Sequence, residues 1–236
     1  MKRFLALLLI LVLCASPALA QMELHGYDRS LKPKYQYVAF GQYPYEKDGT
    51  VRPQLWRVLT VEEDVAFLIT ETIIDFVQYH SAKDTDPANP LNYPDSLMHA
   101  FCNTTLLSTL FTPEEQALLL PLSGDRGLIG LGTCEELQNP ATGFSKAKYT
   151  EDKNRQAIGS PYAYAQGLRR IDSKGHSWYF TADWRRLGMR WIVGDNGHIS
   201  CVGSDRFGGV RPVIYVDLTK VDCKGGEGTK ESPYLW

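Results

Sequence analysis

The sequence predicts an α+β fold, and three observations carry the prediction. Short β-branched and aromatic runs come first, a single long amphipathic helix follows them, and the rest breaks into brief strands separated by loops rich in Gly, Asn and Pro. Strands that precede helices, rather than alternating with them, point to an antiparallel sheet with helices packed on it. A chain of 236 residues that is 44% hydrophobic and 22% charged has the composition of a folded domain, which excludes a collagen-like or disordered chain.

Taken in order, residues 1–20 stand apart. Lys2 and Arg3 precede the apolar run Phe4 to Leu13, and small residues at Ala18 and Ala20 follow. A charged start, a core too short to span a bilayer and a small-residue exit read as a secretory signal peptide cleaved after Ala20. Tyr35 to Phe40, Trp56 to Val61 and Val65 to Thr70 are then expected as an antiparallel meander, turned by Gly41 to Pro53 and by Glu62-Glu63-Asp64. Three prolines within residues 80–95 make a loop. Ser96 caps a helix whose apolar positions Leu97, Met98, Phe101, Cys102, Leu106 and Leu110 recur every three or four residues. Thr112 and Glu115 form a capping box around Pro113, and the Asn103 sequon, lying on the helix, is read as supporting packing or a cap-like hydrogen bond. Beyond Ser123 the expected strands are Leu128 to Thr133, Ser177 to Thr181, Met189 to Val193, His198 to Val202 and Val210 to Val216, with a hairpin turn at Asp195-Asn196-Gly197. The irregular stretch Glu135 to Asn154 is long enough to need a function or a covalent pin.

Residues 21–236 are expected as a single domain. Loss of the leader removes two of 25 basic side chains and none of the 27 acidic ones, leaving a net charge of −4 that disfavours nucleic acid. No later segment has transmembrane length. Cys102, Cys134, Cys201 and Cys223 remain, an even number in an oxidising compartment, so two disulfides are expected with all three pairings open. Their spacings match no zinc pattern.

Phe40-Gly-Gln-Tyr-Pro, Trp56-Arg-Val-Leu, Phe67-Leu-Ile-Thr, the helix Ser96 to Asn103, Phe111 to Glu115, Leu131 to Glu136, Arg155, Tyr162 to Ala165, Trp178-Tyr-Phe180 and Gly209-Val-Arg-Pro-Val213 occur in an order that resembles an uncharacterised family of mostly extracytoplasmic bacterial domains. That family is similar to the C-type-lectin-like superfamily. The resemblance covers about residues 36–218 and implies a C-type-lectin-like fold: a twisted antiparallel sheet with two helices, adjacent terminal strands and a long loop-rich region. The chain departs from the family at His99 and Cys102, where Arg and Leu are usual, and at Phe180-Thr-Ala182, where Leu-Arg-Ser is common; the departure at Cys102 hints at a bridge special to this chain. Gly209-Val-Arg-Pro is also similar to the ending of the formylglycine-generating, sulfatase-modifying enzymes. That likeness implies an alternative, a cysteine-dependent oxidase using Cys201 and a second thiol as thiolates.

No nucleophile elbow, phosphate loop or HExxH motif is present, the five His are scattered, and the paired acids are read as caps and turns. Trp178 to Trp191 is the densest mixture of aromatics and arginines in the chain. Aromatic faces beside Arg and Asp grip sugar rings or protein surfaces. Trp178, Phe180 and Trp191 are assigned to the core, and Trp184, Arg185, Arg186, Asp195, Asn196, Asp205 and Arg206 to an exposed ligand-binding face. Arg211 is expected as a buried ion-pairing residue. No cofactor is required; calcium is the one candidate, through oxygen ligands such as Asp195 and Asn196. The expectation is a secreted or periplasmic, non-catalytic module for an extracellular glycan or protein surface, with a structural envelope role as a further alternative.

Overall fold

Alternating runs of buried residues build two sheets, seen in a computed structural model that describes residues 25–27, 33–82, 86 and 91–236. The expected signal peptide lies outside the described residues. Strands β1 (His25–Tyr27) and β2 (Pro33–Tyr35) form a small hairpin. Next come β3 (Tyr37–Pro44), β4 (Val51–Glu62) and β5 (Val65–Thr70), the meander expected from the sequence. A bulge interrupts β3 between Ala39 and Gln42. Gly41 sits there with φ 69°, and a Cβ on it would lie 2.6 Å from the Leu110 carbonyl, so the helix approaches as closely as only Gly allows.

After β6 (Asp75–Gln78), helix α1 runs over 97–110. Ser96 caps it, its Oγ accepting from the His99 N–H at 2.9 Å. Met98, Cys102, Leu106 and Leu110 are buried, four residues apart each time, whereas Leu97 is 45% exposed. Four-residue steps drift round a helix of 3.6 residues per turn. The π-helical turn Cys102–Leu106 underwinds the helix and returns Leu106 and Leu110 to the sheet. Asn103, turned away from that face, donates to the Arg126 and Ile129 carbonyls at 3.0 Å each and accepts from the Leu128 N–H at 2.9 Å. It supports packing, as expected.

Helix α2 (Pro113–Gln116) has the full Thr112–Glu115 capping box. Strands β7 (Leu119–Leu120) and β8 (Gly130–Leu131) pair with β15 further on, and β9 (Ala157–Ile158) pairs with β10 (His176–Ser177) across α3 (Pro161–Ala165), which Ser160 caps. Then follow β11 (Tyr179–Arg186), β12 (Met189–Val193), β13 (Ile199–Gly203), β14 (Phe207–Val210), β15 (Pro212–Asp217) and β16 (Tyr234–Leu235). One sheet has the order β16-β3-β4-β5-β15-β7, with β8 also on β15; the other has β13-β12-β11-β14-β6. The chain is a mixed α+β protein, mostly sheet. β16 runs parallel to β3, placing the last strand beside an early one. The larger sheet is buried on both faces: Val38, Trp56 and Leu68 join a core with α1, while Leu59, Phe67 and Ile69 join a second core with Leu137, Phe144 and Leu168. The unbroken apolar runs in β4 and β5 are what burial on both faces demands.

Residues 135–154 are pinned, but by a guanidinium. Arg155 is fully buried and donates to the carbonyls of Leu137, Ser145, Ala147 and Thr150. Asp152, beside it, accepts from the Ser145 and Asn154 amides at 2.7 and 2.8 Å. The expected disulfides are absent: all four described cysteines are free, and no pair comes within bonding distance. Cys102 faces the core from α1, Cys134 lies near Thr181 Oγ1, Cys201 is on the outer strand β13, and Cys223 lies beside Gly225 in the C-terminal segment. Arg211 also departs from expectation, since among the described residues no carboxylate lies within ion-pair distance of it, and it donates to the Thr70 and Arg155 carbonyls and the Tyr179 hydroxyl. The buried ion pairs lie elsewhere, at Arg57–Glu71, Arg126–Glu136 and Arg155–Asp152.

Candidate functional site

The five-stranded sheet presents a groove on each face. Trp191 and Cys201 are cross-strand partners and share one side, while Val202, the next residue, turns to the other. On the Trp191 side, β11 loses register with β12 between Phe180 and Trp184, and again before Arg186. This bulging lifts Trp184 clear of the core to 48% exposure. The residue then faces the pinned loop 135–154 across a cavity of about 780 Å³, lined also by Glu135, Gln138, Lys146, Lys148 and Asp183.

Backbone bonds fix the walls of this groove. Lys148 gives its carbonyl to the Ile199 N–H at 2.9 Å, which sets its Nζ 3.9 Å from the centre of the Trp191 ring. Arg185 lies over the same ring at 4.9 Å and touches the Cys201 sulfur. Asp183 accepts the Cys134 N–H, tying β11 to the loop. Burial, with Asp183 adding to it, pushes the Cys134 thiol up to about 12, so it stays protonated and unreactive at neutral pH. The Cys102 thiol is likewise raised to about 12, by burial.

The second groove, of about 620 Å³, lies on the Val202 side, where Trp178, Phe207, Phe76, Asp205, Arg206 and Arg169 meet. Phe207 is 52% exposed, its ring 5.8 Å from that of Phe76. Neither Arg169 nor Arg206 has a carboxylate within ion-pair distance among the described residues.

The seven residues expected to form one binding face therefore occupy three places. Trp184 lines the first groove, Arg185 packs over the Trp191 ring beside Cys201, and Arg186 is exposed at the end of β11. Asp205 and Arg206 belong to the second. Asp195 and Asn196 form the β12–β13 turn, where Asn196 Oδ1 accepts from the His198 N–H and its carbonyl from the Asp152 N–H. Gly197 completes that turn at φ 80°, and a Cβ there would sit 2.1 Å from the Asp152 carbonyl. The turn is thus committed to holding the loop. Among the described residues no cluster of three His, Cys, Asp or Glu could hold a metal, and no helix is long and apolar enough to cross a membrane.

Sequence reasoning gives Glu135 to a turn and misses Lys146 and Lys148, which sit in an aperiodic loop, and Arg169, which follows a helix too short to read. Trp191, expected in the core, packs half-buried against the second core and also forms the floor of the first groove. No family model matches the chain, and neither a curated protein nor a solved structure is similar to it.

Proposed function

We propose that this protein is a secreted or periplasmic, non-catalytic binding module of C-type-lectin-like architecture, and that the groove between Trp184 and the loop 135–154 holds a glycan. The observation that carries the reading is the exposed Trp184 ring at the rim of a cavity whose other walls are amide, carboxylate and ammonium groups from Gln138, Glu135 and Lys146. An apolar ring face for stacking and short polar side chains for hydroxyls are the two things a sugar needs. The leader-like residues 1–20, the adjacency of β16 and β3 and the loop-rich region packed on the sheet support the architecture. The cysteine-dependent oxidase reading asks for two thiolates in one groove; Cys201 has no second thiol within bonding distance, and the buried thiols at Cys102 and Cys134 are held protonated.

The test is a screen of cell-wall and extracellular glycans with the purified protein and two variants. Trp184→Ala is expected to weaken every hit by about tenfold or more, the effect of losing a stacking platform worth on the order of 1–2 kcal/mol, while Arg206→Ala on the opposite face leaves them unchanged. Hits that survive Trp184→Ala would overturn the assignment of the groove.

A further inference from the structure

One edge of the five-stranded sheet is open. At the two ends of the β12–β13 pairing, the Gly194 N–H bonds the His198 carbonyl at 2.8 Å and the Ser204 N–H bonds the Gly188 carbonyl at 3.0 Å. Alternation from these ends makes Ile192–Ser200 and Arg190–Val202 the bonded pairs and turns the backbone groups of Ile199, Cys201 and Gly203 outward. The Ile199 N–H is taken by Lys148, and the Gly203 carbonyl by the Arg206 N–H at 3.3 Å. Between those two closures stand the Ile199 carbonyl, both backbone groups of Cys201 and the Gly203 N–H, none with a partner among the described residues.

Edges of this kind are ordinarily blunted by Pro, Lys or inward charges. Ile199-Ser-Cys-Val-Gly203 contains none of them. The edge is instead flanked by side-chain sites on both faces. Cys201 lies among Trp191 and Arg185 on one side, and Val202 lies against Phe207 and Arg206 on the other. Arg185, Arg206 and Arg169 all lack a carboxylate partner among the described residues.

We propose that β13 takes up an extended acidic peptide from a partner protein as an added strand. Main-chain bonds to Cys201 and Gly203 supply the register, and neighbouring carboxylates, which a strand turns to opposite faces, reach Arg185 on one face and Arg206 with Arg169 on the other. Strand addition draws affinity from backbone bonds and selectivity from pockets that receive the side chains, and the three guanidiniums Arg185, Arg206 and Arg169, which outnumber the Asp205 carboxylate beside Gly203, select acidic ones. The inference stands on the edge bonds and is independent of the glycan reading.

The experiment measures fluorescence anisotropy of a labelled acetyl-Val-Glu-Glu-Val-Glu-Glu-Val-amide, which as a strand shows two carboxylates on each face, with the purified protein. Saturable binding is expected. N-methylation of alternate peptide nitrogens, which removes strand bonds and keeps the side chains, is expected to weaken it by about tenfold or more. Replacing Glu by Lys in the peptide is expected to abolish binding. Cys201→Pro removes an outward N–H at an edge position that tolerates Pro, and is expected to act like N-methylation while Trp184→Ala has no effect. If Cys201→Pro does not fold, the N-methylated peptide decides alone. Binding indifferent to N-methylation, binding lost in Trp184→Ala, absence of binding, or a dimer in sedimentation that Cys201→Pro renders monomeric would each overturn the proposal, the last by making the occupant a second copy of the chain. Glycan hits that persist while peptide binding fails would remove this inference and leave the glycan groove standing.

Discussion

Arg155 Nε donates to the Gly197 carbonyl at 2.7 Å, joining the end of the irregular stretch 135–154 to the β12–β13 turn. Through the same side chain, four carbonyls within that stretch are gathered on one guanidinium. A planar fork with five donors is the only side chain that can do this, which is why a long loop without strands or disulfides keeps one shape.

Arg155→Lys keeps the charge and loses the fork. Stranding several buried carbonyls is expected to cost about 3–5 kcal/mol, read as a fall in the urea midpoint. Trypsin is expected to cut at Lys146, Lys148 and Lys153 under conditions in which the parent protein resists it. An unchanged cleavage pattern would mean that the loop is held some other way.

Asn103→Ala is expected to be nearly as damaging, by about 2–4 kcal/mol, because the amide satisfies backbone groups of both α1 and residues 126–129. Thr104→Ala, one residue along on the exposed side of α1, is expected to change the denaturation midpoint by less than about 0.5 kcal/mol. Equal effects of the two would contradict the assigned role of Asn103.

Burial raises the Asp75 carboxyl above the ordinary carboxylate value, and the bonds it accepts from the Tyr43 hydroxyl at 2.6 Å and the Phe76 N–H only partly offset this. The folded state thus holds the proton more tightly than the unfolded one. Stability from this group is greatest below the unfolded value of about 3.9 and declines as pH rises from there through the folded value. Tyr43→Phe removes a donor to the charged form, so it is expected to move the folded value further up and to lower stability at pH 7 by about 1–3 kcal/mol. Asp75→Asn is expected to flatten that segment of the stability–pH curve, measured by denaturant unfolding; a curve that keeps its slope would assign the pH dependence to another group.

At Glu71 burial also pushes the carboxyl up, but Arg57, Arg211 and Lys230 outweigh it and hold the value below the ordinary one. Its stabilisation is present above the unfolded value of about 4.3 and is lost as pH falls through the folded value. Glu71→Gln is therefore expected to lose stability at pH 7 and to show less acid sensitivity than the parent in unfolding curves below pH about 4.

Thiol counting separates the free-cysteine arrangement from the disulfides the composition suggests. Alkylation in denaturant without reductant is expected to modify Cys102, Cys134, Cys201 and Cys223. Under native conditions only the half-exposed Cys201 and Cys223 are expected to react. A single mass lacking all four adducts would restore the bridged picture.

Much of the fold was legible where a local rule decides it. β5 and β12 begin and end where the apolar runs do, and Ser96, Thr112 with Glu115, and Asp195-Asn196-Gly197 mark a helix start, a capping box and a hairpin by chemistry confined to a few residues. What escaped was set by distant partners. β6, β7 and β16 are two to four residues long and exist because a neighbouring strand supplies their bonds. Arg155 and Arg126 take their roles from carbonyls and a carboxylate in irregular loops. The candidate site followed the same division: Trp184 stood out by local density of aromatics and arginines, while Lys148 enters through its backbone bond to Ile199, which no periodicity announces.

The pairing of β15 with β5 and of β16 with β3 carries a consequence for how the chain reaches this state. Tyr215 meets Phe67, and Tyr234 meets Val38, so the central sheet is assembled from residues that must find one another across most of the polypeptide. Chains dominated by such distant contacts fold slowly, because the entropy of closing large loops is spent before the contacts return it. The β3–β5 meander is local and can form early, yet both of its flanks wait for the final third of the sequence. A polypeptide with this wiring remains unfolded for longer after synthesis than one built from neighbouring hairpins.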